Sequence, residues 1–178
     1  MTGYDYASPG VYFVTVCAHR KECVFGGQDI RESVERAWHQ IPQHFPNTKL
    51  DEFVVMPNHV HGILWILDDD PKGDVVGAQH AAPPPASPTP RVRPGSLGAI
   101  VRSFKSAATR RVNEVGQTPG TPFWQRNYYE HVIRDEDELG RIRQYILDNP
   151  LQWELDRENP HRVANRGYGG EWAWLEGT

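Results

Sequence analysis

The sequence predicts an α+β fold: a ferredoxin-like split β-α-β arrangement with an antiparallel sheet, plus an extra C-terminal helix. Three observations lead there. Short runs that alternate and are rich in β-branched and aromatic residues recur between Gly10 and Arg134. Segments with apolar residues three and four apart fall between them and after the last. At 178 residues the chain suits one domain with a substantial core. The resulting order, β-α-β-β-α-β-α, is that of the split β-α-β fold with one helix added.

The first strand is "GVYFVTVCA". A helix is expected from about Asp29 to His44, with Ile30, Val34, Ala37, Trp38 and Ile41 on one face and Pro42 and Pro46 ending it. "LDEFVVMP" and "NHVHGILWIL" form the next two strands, joined at "PN" as an antiparallel hairpin. The proline- and alanine-rich stretch at about 68–94 lacks periodicity and is expected to be a mobile insertion. Ser96 caps a helix striped by Leu97, Ile100, Val101, Phe104, Ala108 and Val112. "FWQRNYYEHVIR" is the fourth strand. "DEDELGRIRQYILDNP" is a helix with acids in its first turn, expected to stop before Pro150.

Composition narrows the function classes. The content is 38% hydrophobic and 24% charged, within the globular range, and fifteen prolines imply much irregular chain. No apolar run reaches about eighteen residues, and "MTGYDYASPG" lacks a signal peptide's regions, so a cytoplasmic location and no membrane partner are expected. Cys17 and Cys23 flank His19, but no second pair with zinc-finger spacing exists, and Cys17 continues the first strand's alternation as a core thiol. The net charge of −4 argues against a uniformly basic nucleic-acid binder. From Thr89 to Asn113, however, Arg91, Arg93, Arg102, Lys105, Arg110 and Arg111 occur without one acid. Such a run is either a phosphate-facing patch or a solvated helix face.

The chemistry centres on "VVMPNHVHGILWI". Alternate strand residues share a face, so His59 and His61 project together, a pair that holds a metal if a third ligand joins them. Tyr145 and Asn149 are four apart, one helical turn, and the Asn149 amide oxygen is the candidate third ligand. Tyr145 would then stand beside a polarised phosphate, where a cation favours its phenolate. Taken singly, each residue has an ordinary structural explanation; the combination supplies the parts for strand cleavage through a phosphotyrosine. Tyr128 and Tyr129 are rival nucleophiles of which only one faces inward, and neither has a candidate metal ligand one helical turn away. His131 shares Tyr129's face, and packing is its expected role.

"MPNHVHGIL", "GSLGAIVRSFKSAATRRVN", "FWQRNYYEHVIRDEDEL" and "YILDNP" together resemble the single-tyrosine HUH transposases of bacterial insertion sequences, most closely the REP-associated tyrosine transposases. The resemblance covers about Gly10 to Trp153, which implies a transposase domain at 1–153 carrying the insertion, and a tail at 154–178. It implies His59, His61 and Asn149 as ligands of Mg2+ or Mn2+ and Tyr145 as nucleophile. Two imidazoles favour manganese in vitro, and abundance favours magnesium in the cell. The implied partner is single-stranded, hairpin-forming DNA, nicked and rejoined without ATP, with the basic helix on its backbone. A homodimer sharing its active sites is compatible with the sequence. So are a domesticated DNA-binding regulator that no longer cuts and a metal-dependent hydrolase.

Overall fold

The computed structural model describes residues 8–68, 93–155, 159 and 161. Most of the proline-rich insertion and of the tail therefore lie outside the described residues. Strand β1 (Gly10–Cys17) leads through a short 3-10 turn (His19–Lys21) to helix α1 (Gln28–His39) and the one-turn helix α2 (Ile41–His44). Strands β2 (Thr48–Val55) and β3 (His59–Ile66) follow, then α3 (Leu97–Gly116), β4 (Tyr129–Ile133), α4 (Glu136–Gln152) and a second 3-10 turn (Trp153–Leu155). The sheet order is β2-β3-β1-β4 and every neighbouring pair is antiparallel. This is the expected split β-α-β sheet.

Three boundaries differ from the expectation. The first helix ends at His39, and Gln40 starts a new turn in which Pro42 occupies an early position, where a missing N–H loses no helical bond. The fourth strand is five residues long because 123–128 leaves the ladder, touching it only at the Ala18–Trp124 bridge. Helix α4 passes through Pro150 to Gln152. So near the end of a helix a proline removes one backbone bond only, and the buried face before it keeps the turn in place.

Strand alternation divides the core. Tyr12, Val14 and Val16 of β1 and Val60, Leu64 and Ile66 of β3 pack with α1 and α3 on one face. Phe13 and Ile63 pack on the other face with Ile133 and with Leu139, Ile142 and Ile146 of α4. The extra helix thus covers the face opposite α1 and α3. Ser96 caps α3 by accepting from Ala99 N at 3.4 Å, and Asp135 caps α4 by accepting from Glu138 N at 2.8 Å.

Gly62, between His61 and Ile63, is where the packing is tightest. A Cβ there would lie 2.5 Å from Trp38 Cζ2, and Trp38 is itself stacked on Phe53 with ring centroids 4.5 Å apart. Gly62→Ala is therefore expected to destabilise the fold by about 1–3 kcal/mol through overpacking. Urea denaturation measures this, and an unchanged midpoint would show that the Trp38 ring yields at no cost.

Candidate active site

His59 and His61 lie on the α4 face of the sheet and are buried, 0% and 4% exposed. Their Nε2 atoms converge at 2.9 Å. The outer nitrogens are anchored: His59 Nδ1 lies 2.8 Å from Asn58 Oδ1, and His61 Nδ1 lies 2.8 Å from Thr15 Oγ1. Thr15 is the cross-strand partner of His61 in the β1–β3 ladder. Asn58 in turn donates from Nδ2 to the Lys21 carbonyl at 3.0 Å. That carbonyl belongs to a turn in which Arg20 and Lys21 hold left-handed backbone, φ 54° and 58°.

These contacts assign the protons. Because Asn58 uses its amide nitrogen on a carbonyl, its oxygen faces His59, so His59 carries a proton on Nδ1 and directs Nε2 at His61. The hydroxyl of Thr15 accepts or donates and so accommodates either tautomer of His61. Burial, and then the proximity of His59, holds the His61 pKa well below the ordinary imidazole value, so the ring is neutral and has a lone pair to offer. Phe13 stacks on His61 at 5.4 Å between centroids and fixes the ring from its flank.

Helix α4 brings Tyr145 to this pair: its phenol oxygen lies 3.4 Å from His61 Nε2, and its ring meets Phe13 edge-on. Two turns on, Trp153 lies 6.1 Å from His59 between ring centroids. Asn149 falls between these two on the same stripe and is 5% exposed.

The donor set suits a divalent ion with open positions: two imidazoles, their outer nitrogens anchored as metal-binding histidines require, and one buried amide. No group of three or more His, Cys, Asp or Glu among the described residues offers a rival site. Neither Cys17 nor Cys23 forms a disulfide.

The rival tyrosines divide as alternation requires. Tyr129 packs on the histidine face, 6.5 Å from Phe13 between centroids, whereas Tyr128 packs against the core on the α3 side. His131 does more than pack: its Nε2 pairs with Glu138 Oε1 at 2.8 Å, while Glu138 Oε2 accepts from Arg134 N at 2.7 Å.

The four cations of the basic helix also separate. Arg102 and Arg110 are exposed. Lys105 instead directs Nζ at the carbonyls of Gln125, Arg126 and Asn127, at 2.5, 3.0 and 3.4 Å, and Arg111 donates to Gln40 Oε1. Since α3 covers the other face of the sheet, the structure does not bring these four cations together with the histidine pair.

What seats α4 escaped the sequence reading. Arg143 forms a two-pronged pair with Asp51 of β2, Nε to Oδ1 at 2.9 Å and Nη2 to Oδ2 at 2.6 Å, and Asp51 also accepts from Trp65 Nε1 at 3.1 Å. Asp51 and Arg143 are far apart in sequence, and only the register next to the bulge between Leu50 and Phe53 brings them together. Thr15 and Asn58 escaped for a related reason. A threonine in a strand and an asparagine in a turn are unremarkable until the β1–β3 pairing is known.

No protein-family model matches the chain. An uncharacterized protein of Haemophilus influenzae is 39% identical over 166 residues, covering 86% of this chain and 87% of that protein. A second protein of the same organism, named "Putative REP-associated tyrosine transposase", is 24% identical and covers 83% of this chain and 74% of its own length. Among solved structures, a REP-associated tyrosine transposase bound to a REP hairpin superposes with a TM-score of 0.58 at 20% identity, covering 86% of this chain and 74% of that one.

The Asp51–Arg143 pair has a pH signature. Arg143 first, and then the Trp65 and Glu52 donors, hold the Asp51 carboxyl below its usual range against the opposing effect of burial. A depressed folded pKa stabilises above the unfolded value of about 4, and the contribution is lost as pH falls through the folded value. Arg143→Gln is expected to destabilise by about 1–3 kcal/mol at pH 7, with the deficit shrinking below pH of about 4. Chemical denaturation across that range tests it, and a deficit independent of pH would remove Asp51 as the partner that matters.

Proposed function

The chain belongs to one family with its 39% identical Haemophilus influenzae relative and has the fold of the REP-associated tyrosine transposases, and from that premise we propose that it nicks and rejoins single-stranded DNA through Tyr145. The observation that carries this reading is the Tyr145 phenol, 3.4 Å from His61 Nε2 and beside two imidazole nitrogens 2.9 Å apart. A tyrosine kept only for packing has no need of two convergent imidazole nitrogens next to its oxygen.

In this reading the Tyr145 oxygen attacks a backbone phosphorus and gives its proton to water. A bond from oxygen to phosphorus forms, the bond from phosphorus to the 3′ oxygen breaks, and that oxygen takes a proton to leave as a 3′-hydroxyl. The product is a 5′-phosphotyrosine. Because the new ester retains the energy of the old one, a 3′-hydroxyl reverses the exchange and no ATP is needed. A divalent cation, Mg2+ or Mn2+, held by His59, His61 and Asn149 would neutralise charge developing on the phosphate. Thr15 and Asn58 hold the imidazoles in register, and Phe13 keeps His61 from rotating. The solved neighbour is bound to a REP hairpin, and a hairpin-forming single strand is the substrate this reading assigns.

Incubation with a labelled pool of single-stranded hairpin oligonucleotides in manganese, followed by a denaturing gel, is expected to give a covalent adduct. Tyr145→Phe should bind the pool normally and form none. His59→Ala and His61→Ala should abolish the adduct, whereas Asn149→Ala should retain some at high manganese, since two imidazoles and the phosphate still hold the ion. An adduct persisting in Tyr145→Phe would move the nucleophile to Tyr129, the rival on the histidine face.

A further inference from the structure

The segment 125–128, which leaves the sheet before β4, stands off α3 and leaves a pocket of about 370 Å3 between them. Val101 and Tyr128 supply its apolar lining, Gln125 lines it as well, and the exposed Arg102 and Arg126 complete it. No acid lines the pocket. Lys105 fixes the rim, since its Nζ gathers the carbonyls of Gln125, Arg126 and Asn127. Farther along α3 a second opening of about 520 Å3 continues the groove past Ser106, Thr109 and Arg110.

An aromatic side chain in the lining and two exposed cations beside it match one nucleotide: a planar ring inside and its phosphate outside. A protein partner would be met by a flatter, broader apolar surface. The groove also has a direct route to the catalytic face. β4 is an edge strand that begins at Tyr129, and Tyr128 just before it packs toward α3 while Tyr129 packs against the Phe13 that stacks on His61. A strand rounding this edge passes from the groove to the histidine pair without crossing the sheet.

We propose that the pocket between α3 and residues 125–128 is a subsite for an unpaired nucleotide of the bound strand, its base on Tyr128 and its phosphate on Arg102 and Arg126. This rests on the single-strand reading above. Lys105 is then a positioning residue that shapes the rim and touches no phosphate.

Fluorescence anisotropy with labelled oligo(dT), and with an abasic strand of equal length and charge, tests it. The wild type should prefer oligo(dT) about tenfold, the scale of one base stacked on an aromatic ring. Tyr128→Ala should abolish that preference and Tyr128→Phe should keep it. Arg102→Gln with Arg126→Gln should weaken both strands and lower the slope of log affinity against log salt by about 0.7 for each phosphate the variant no longer neutralises. A preference surviving in folded Tyr128→Ala would overturn the subsite. Should that variant fail to fold, an unchanged salt slope in the double arginine variant would do so.

Adduct formation, read in parallel, keeps the two ideas apart. A Tyr128-dependent base preference without an adduct would overturn the cutting reading and leave a binding groove. An adduct without that preference would do the reverse.

Discussion

The docking of α4 onto the sheet is the constraint on which the site depends. Neither half is a site alone: β3 supplies two imidazoles, and α4 supplies the phenol and the amide. The apolar contacts of Leu139, Ile142 and Ile146 with Phe13 and Ile63 provide the adhesion, but such contacts are not directional. Direction comes from Arg143, whose planar fork meets both oxygens of Asp51 two residues before Tyr145. At the helix start, Glu138 joins His131 and the Arg134 backbone and fixes the other end. A helix held at two points along its length has little freedom to rotate, so the stripe carrying Tyr145 and Asn149 stays on the histidine face.

That docking has an electrostatic consequence. With α4 in place both imidazoles are buried, and each buried polar atom needs a partner. The pair meets the need internally, Nε2 to Nε2, with Asn58 and Thr15 on the outside. One shared proton lies between the two Nε2 atoms, and the Thr15 hydroxyl, which donates or accepts, accommodates His61 whichever ring carries it.

Much of this was legible in the sequence because periodicity is a local signal. Alternation placed His59 and His61 on one face, and helical spacing placed Tyr145 and Asn149 one turn apart, where the structure also has them. Ser96 was recognisable as a cap because capping involves only the next three residues. The errors came where local rules met tertiary packing. Pro150 read as a stop, yet the buried face of α4 carried the helix past it; the alternating look of "FWQRNYY" concealed a segment pulled off the sheet and held by Lys105. Asp51, Thr15 and Asn58 were out of reach, since their roles exist only through partners in other elements.

The separation of the cations from the histidines changes what the basic run means. A cation covering the opposite face of a sheet cannot neutralise charge at a phosphate beside His61, because the sheet and its packed side chains intervene. Arg102 and Arg110 can act only on parts of a nucleic acid remote from the reacting atoms, where they add affinity that is sensitive to salt and indifferent to sequence. In the proposed reaction, positive charge at the phosphate would come instead from whatever the two imidazoles and the amide hold. The α3 face and the histidine face of the sheet are distinct, and they meet at its edge, where Tyr128 precedes β4 and Tyr129 begins it.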